Sequence, residues 1–141
     1  MAEHLMRHIV EQAGLGAEFV IDSAAISQEE IGNDIYPLAK RTLEKHGIHN
    51  AHHVARQICP SDYDYYDHIV LMDDENLFGL RRIIPNDPQG KISLLLDHTD
   101  PSDKKHHNRD VADPWYTRDF DQCWDDINVG CHALKKELIN I

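Results

Sequence analysis

A chain of 141 residues with a formal charge of −11 can bury one core but is too acidic to track a phosphate backbone, which excludes nucleic acid as a partner. No apolar run approaches a membrane span, and Met1-Ala2-Glu3-His4 lacks the charged-then-apolar opening of a signal peptide. A single cytoplasmic domain over 1–141, away from membranes, is expected. Three widely spaced cysteines, Cys59, Cys123 and Cys131, argue against a disulfide framework and agree with a reducing compartment.

In chain order, Leu5, Met6, Ile9, Val10 and Ala13 repeat at helical spacing, predicting a helix over 1–13 that has no capping residue in front of it. Phe19-Val20-Ile21 is an apolar run suited to a buried strand, closing on Asp22-Ser23. After a polar loop over 24–36, Pro37 fits a first helical position and the helix runs to a stop at His46-Gly47. Pro60-Ser61-Asp62-Tyr63-Asp64 reads as a helix start with Ser61 as its cap. His68–Met72 is the strongest strand; a helix through Asn76, Leu77, Leu80 and Arg81 comes next, ended by Pro85. Ile92 to Leu96 predicts a further strand, and 97–112 a polar, histidine-rich loop. Phe120, Cys123, Trp124, Ile127, Cys131, Leu134 and Leu138 mark a long amphipathic helix from Asp119.

Helices alternating with short strands predict an α/β fold, a small doubly wound parallel sheet with helices on both faces. Ligands in such folds sit at the carboxyl ends of the strands, where Asp22-Ser23, Asp73-Asp74 and the loop bearing Asp113 all fall. Within that loop, Pro114 fixes its own φ and biases Asp113 toward extended backbone, with Trp115 and Tyr116 directly after it. A carboxylate held beside aromatic rings is the arrangement of a general acid over a flat substrate; an Asp-Pro pair is also an ordinary turn. The histidines, clustered at His49, His52, His53 and at His98, His106, His107, show no convergent ligand set and are expected at the surface, with no metal and no cofactor.

Six pieces, in order, bring a resemblance into view: Met1-Ala2-Glu3; Ile21-Asp22-Ser23-Ala24; Gly32 through Pro37 to His46-Gly47-Ile48; His53-Val54-Ala55-Arg56-Gln57; Met72-Asp73-Asp74-Glu75-Asn76-Leu77; and Asp113-Pro114-Trp115-Tyr116. In this order and spacing the chain resembles the low-molecular-weight protein-tyrosine phosphatases over nearly its whole length. The resemblance implies hydrolysis of phosphotyrosine proteins or small aryl phosphates through a cysteinyl-phosphate, formed by a Cys-x5-Arg loop between a first strand and a first helix. By motif it implies Asp113 as general acid, Trp115 and Tyr116 as the lining of the aryl slot, and Ser23 and His53 as residues that brace the phosphate loop.

One departure bears on the chemistry. Six positions beyond Cys59, Cys123 and Cys131 stand Tyr65, Val129 and Glu137, so no Cys-x5-Arg occurs in the chain. In the family, Met-Ala-Glu comes directly after that loop, so the first strand and nucleophile loop are expected to be absent, leaving an N-terminally truncated domain. That predicts an inactive chain with exposed strand edges that borrow a strand or form oligomers. The alternatives are a non-catalytic binding or regulatory pseudo-phosphatase and an arsenate reductase-like enzyme, which would need further redox cysteines.

Overall fold

A computed structural model describes residues 1–29 and 31–139. Its organising element is the long C-terminal helix α6 (Phe120–Ile139), whose inward stripe of Cys123, Ile127, Gly130, Cys131 and Leu134 repeats at helical spacing. Against it lies α1 (Ala2–Gln12), which contributes Leu5, Met6, Ile9 and Val10 to the same core. Leu95 and Leu96, both buried, come from a 3₁₀ turn (Leu95–His98) and complete the layer. A second helix, α2 (Pro37–Lys45), also packs on α6 and buries Leu43.

The sheet is small and parallel. Strand β1 (Ile69–Leu71) pairs with β2 (Ile92–Leu94) in the register Ile69 to Ile92, Val70 to Ser93 and Leu71 to Leu94. The period of two sorts β1 between layers: Ile69 and Leu71 join Tyr63, Leu80 and Ile84 in one core, whereas Val70 and Met72 pack against the α1–α6 core. Tyr63 and Leu80 belong to two short helices, α3 (Pro60–Tyr65) and α4 (Asp74–Leu80). Helices therefore cover both faces of a parallel sheet, the α/β layering expected of the sequence.

Several elements differ from expectation. Phe19 is extended, but Phe19–Ile21 pairs with no strand among the described residues; Val20 is 69% exposed, and the strand-type contact nearby is a parallel bridge from Ala25 to Gln57. A strand requires a neighbour, and the space beside this segment is a cavity of about 2270 Å³ bounded by Phe19, Ile21, Val70, Met72, Ile127 and Leu134. The strand expected over Ile92–Leu96 stops at Leu94, because the 3₁₀ turn lets Leu95 and Leu96 both face inward where alternation would expose one of them. The cap of α3 is Cys59 and not Ser61: Pro60 takes the first helical position, and the Asp62 side chain accepts the Cys59 N–H at 2.8 Å. Helix α4 closes at Leu80, ahead of Pro85, and the turn around Asp113 continues into a one-turn helix, α5 (Pro114–Thr117).

Gly130 sits where α6 meets the 3₁₀ turn, and a Cβ there would lie 2.5 Å from Leu95 Cγ and 2.9 Å from its Cδ2. Leu95 is 1% exposed and has no room to retreat. Gly130→Ala removes a helix-interior glycine, worth about 1 kcal/mol on propensity alone, yet overpacking typically costs 1–3 kcal/mol. We expect the overpacking to win, so that urea unfolding of the alanine variant shows a lower midpoint than the parent.

Candidate active site

The loop that presents Asp113 is held from α6. Asp126, with no exposed surface, lies in phase with the buried stripe of that helix and receives a bidentate pair from Arg109, at 2.9 and 2.6 Å. Two further donors reach the same carboxylate, the Ala112 N–H and the Gln122 side-chain amide, each at 2.8 Å. Burial alone would raise its pKa; the hydrogen bonds from Arg109, Ala112 and Gln122 outweigh that and hold it below the usual aspartate value. From the other side, the Val111 N–H donates to the Met72 carbonyl at 2.9 Å, and the Asp110 carboxylate accepts the Asp74 N–H at 3.2 Å. The loop is thus tied to α6 and to the carboxyl end of β1, and the next residues are the Asp-Pro turn.

Asp113 is half-buried on the wall of the cavity, and its carbonyl accepts the Tyr116 and Thr117 N–H groups, each at 3.1 Å. Tyr116 is 73% exposed and projects beyond it. The Trp115 side chain lies outside the described residues.

Ser23 and His53, expected to brace a loop, are brought together on one carboxylate. Glu3, 6% exposed, accepts the Ser23 hydroxyl at 2.6 Å and stands 3.5 Å from His53 Nδ1 and 3.2 Å from the Arg7 guanidinium. Arg7 in turn grips the Ile21 carbonyl, at 2.9 Å from Nε, and so ties the segment ending at Ser23 to the first turns of α1. Ser23, His53, Glu3 and Asp113 all line the same cavity. The sequence reading missed Glu3 and the Arg109–Asp126 pair. Both left a signal: Glu3 and Arg7 stand four apart on one helix, and Asp126 is an acid on the apolar stripe, which demands a cation.

The surface assignment of the clustered histidines fails for His106. It is buried, with Nδ1 2.8 Å from Asp103 and Nε2 2.8 Å from Asp125. The polar ring could enter the interior because two carboxylates meet its nitrogens. Outside these clusters, His46 stacks on Trp124 with centroids 4.0 Å apart. His106, Asp125 and Asp126 offer ligand atoms within 4.8 Å of one another, a convergent set the sequence did not show, and Asp126 is also clasped by the Arg109 guanidinium.

Neither buried thiol is suited to nucleophilic attack. Burial pushes Cys123 up to about 11 and Cys131 up to about 12, so both remain protonated near neutrality. Cys59 is exposed at the start of α3, where its sulfur lies 3.1 Å from the Ser61 hydroxyl. Asp113 on the cavity wall and the buried Glu3 carboxylate facing the same space make up the candidate site, and no Cys-x5-Arg occurs in the sequence.

The family model for low molecular weight phosphotyrosine protein phosphatase matches residues 1–140. The chain belongs to this family. It is 34% identical over 134 residues to the low molecular weight protein-tyrosine-phosphatase YfkJ of Bacillus subtilis, covering 95% of this chain and 83% of that protein. Low molecular weight phosphotyrosine protein phosphatase 1 of Drosophila melanogaster is 35% identical over 142 residues, covering 99% of this chain and 88% of its own. The crystal structure of YfkJ superimposes with a TM-score of 0.89 at 32% identity, over 99% of this chain and 85% of that one. These phosphatases therefore contain chain that has no counterpart here.

Two outcomes are expected from the buried polar groups of this phosphatase-family domain. Arg109→Met would leave Asp126 buried without its cation and should cost about 3 kcal/mol or more, read as a shift in the urea midpoint, whereas Asp126→Asn, which leaves a cation able to reach water, should cost less. For His106, burial alone lowers the pKa, but hydrogen bonds to Asp125 and Asp103 and their charges raise it overall. A raised pKa contributes stability that is complete below the unfolded value of about 6.5 and is lost as pH climbs through the folded one. Melting temperature should therefore fall above pH 6.5 more steeply in the parent than in His106→Gln, and equal slopes would remove His106 from that role.

Proposed function

We propose that this chain supplies the acid and aryl-binding half of a protein-tyrosine phosphatase site, one that cleaves phosphotyrosine proteins or small aryl phosphates through a cysteinyl-phosphate. The observation that carries the reading is the placement of Asp113: a half-buried carboxylate on the wall of a large cavity, in a loop tied to α6 and to the end of β1. In that role Asp113 protonates the leaving phenolate and then takes a proton from the attacking water. Trp115 and Tyr116, the aromatic pair after Pro114, form the slot for the phenyl ring. Ser23 and His53, joined through Glu3, brace the loop that cradles the phosphate. No cofactor enters the scheme, and the free thiols agree with action in the cytoplasm.

The nucleophile is the part this chain lacks: no Cys-x5-Arg occurs in it, and Cys123 and Cys131 are held as thiols. By itself the 141-residue chain is accordingly a non-catalytic member of a catalytic family. Purified and assayed with p-nitrophenyl phosphate, it should release no nitrophenolate above the blank, and clear turnover would overturn the assignment. In a fusion that places a family member's strand and Cys-x5-Arg loop ahead of Met1, turnover should appear. Asp113→Asn in that fusion should slow it by roughly 10²–10⁴, the range of a general acid. A change of only a few-fold would take Asp113 out of the role.

A further inference from the structure

Strand β2 carries a polar arrangement that has no part in the phosphatase scheme. The period of two sends Ile92 and Leu94 into the layer with Tyr63 and Leu80, while Ser93, level with Val70, faces the layer of α6. The Ser93 hydroxyl oxygen lies 2.8 Å from His98 Nε2, and His98 Nδ1 lies 2.6 Å from Glu137 Oε2. A carboxylate has no hydrogen to give, so the Nδ1–H donates to Glu137. In the neutral ring Nε2 is then the acceptor, and the Ser93 hydroxyl donates to it. Hydroxyl, base and orienting carboxylate therefore have the spacing and the tautomer that general-base activation requires. The backbone adds a donor. The Ile69 N–H donates to the Lys91 carbonyl, so in this parallel ladder the polar backbone of Lys91 and Ser93 is turned to β1 and that of Ile92 and Leu94 is turned away. On that outer side no strand lies among the described residues. Asp87 takes the Ile92 N–H at 3.1 Å, whereas the Leu94 N–H, on the residue directly after Ser93, is turned to the open edge. A backbone N–H one residue beyond a nucleophile is a position from which a developing oxyanion is stabilised.

We propose that Ser93 is a nucleophile, with His98 as its general base, and takes the acyl group of a small activated ester. Ser93 Oγ bonds to the carbonyl carbon as its proton passes to His98 Nε2. The bond from that carbon to the leaving oxygen then breaks, the leaving group departs with the electron pair, and His98 gives up the proton to it or to water. In the second half a water attacks the acyl carbon, His98 takes its proton and returns it to Ser93 Oγ, and the carboxylic acid is released. Glu137 touches His98 and not the ester, so it is a positioning residue: it holds the tautomer and stabilises the imidazolium. Shape sets the substrate class. Ser93 and His98 are half-buried, the Glu137 side chain is 57% exposed, and none of the three lines the cavity beside Asp113. A shallow edge of this kind suits a short acyl group on a good leaving group. The proposal rests on β2, the 3₁₀ turn and α6, so it and the reading of Asp113 fail separately.

Two probes test this on the full 141-residue chain. Diisopropyl fluorophosphate traps an activated serine: the Oγ–phosphorus bond forms, fluoride leaves with its electron pair, and the proton goes to His98. With p-nitrophenyl acetate the leaving group is nitrophenolate, followed by its colour. Peptide mass spectrometry should place the phosphoryl adduct on Ser93, and Ser93→Ala should lose both the adduct and the release of nitrophenolate above the blank. His98→Ala should slow the labelling by roughly 10²-fold, the lower end of general-base catalysis. Glu137→Gln separates activation from a mere tie between β2 and α6. The glutamine oxygen still accepts the Nδ1–H, so a structural bridge survives and the urea midpoint should hold, while loss of the charge should slow labelling by about 10-fold or more. Three results would overturn the proposal: no adduct on Ser93, adducts or acetyl groups found only on other residues, or a Glu137→Gln chain labelled as fast as the parent.

Discussion

A carboxylate with no exposed surface has to be matched in place, and the arrangement around Asp126 stems from that requirement. Its partners are fixed by geometry: the fork of Arg109, the backbone N–H of Ala112, and the Gln122 amide one turn before it on α6. Two of the three lie in the segment that leads to the Asp-Pro turn. The helix therefore determines the path of a loop that has no regular structure of its own. A buried ion pair is weak evidence for stability as such, since apolar residues of similar size often replace one at no loss. Direction is the property such residues cannot replace. A guanidinium clasped at two oxygens and a backbone amide pointed at one of them set the orientation of 109–112, and with it the position of Asp113.

The second constraint is the alternation of β1. Ile69 and Leu71 face the layer built with α3 and α4, while Val70 and Met72 face the layer of α1 and α6. A slip of one residue would exchange the two sets, so the register of the sheet and the division of the core are one fact. Because Met72 also receives the Val111 N–H, the strand that separates the layers is the strand that holds the acid loop. The carboxyl end of a parallel strand thus becomes the rim of a site for a mechanical reason: backbone carbonyls left over where pairing stops are free to catch a loop.

Much of this is legible in the amino-acid order. The apolar stripes of α1 and α6, the proline opening α2 and the apolar run of β1 each carry their own periodicity or breaker, and the structure bears them out. The errors fall where the outcome depends on something elsewhere in the chain. Phe19–Val20–Ile21 has the composition of a buried strand, but whether it pairs is decided by its neighbours in space, and composition does not report those. Leu95 and Leu96 read as a strand's continuation until the 3₁₀ turn allows both inside. A histidine by itself prefers water; the two carboxylates that bring His106 inside stand three and nineteen residues away, and no local pattern links them. The acids of the site divide in the same way. Proline and aromatic residues announce Asp113. Glu3 and Asp126, which hold its surroundings, are visible only as charges on otherwise apolar helix faces.

The two sides of the site are held by different polar groups and share one core. The loop of Asp113 is held through Arg109, Asp126 and the end of β1, and both α6, which carries Asp126, and Met72 pack against α1. Ser23 and His53 meet Glu3, which with Arg7 belongs to α1. Between them lies the cavity, whose apolar wall comes from both helices. The packing of α1 on α6 therefore sets the distance across the cavity between Glu3 and the loop that carries Asp113.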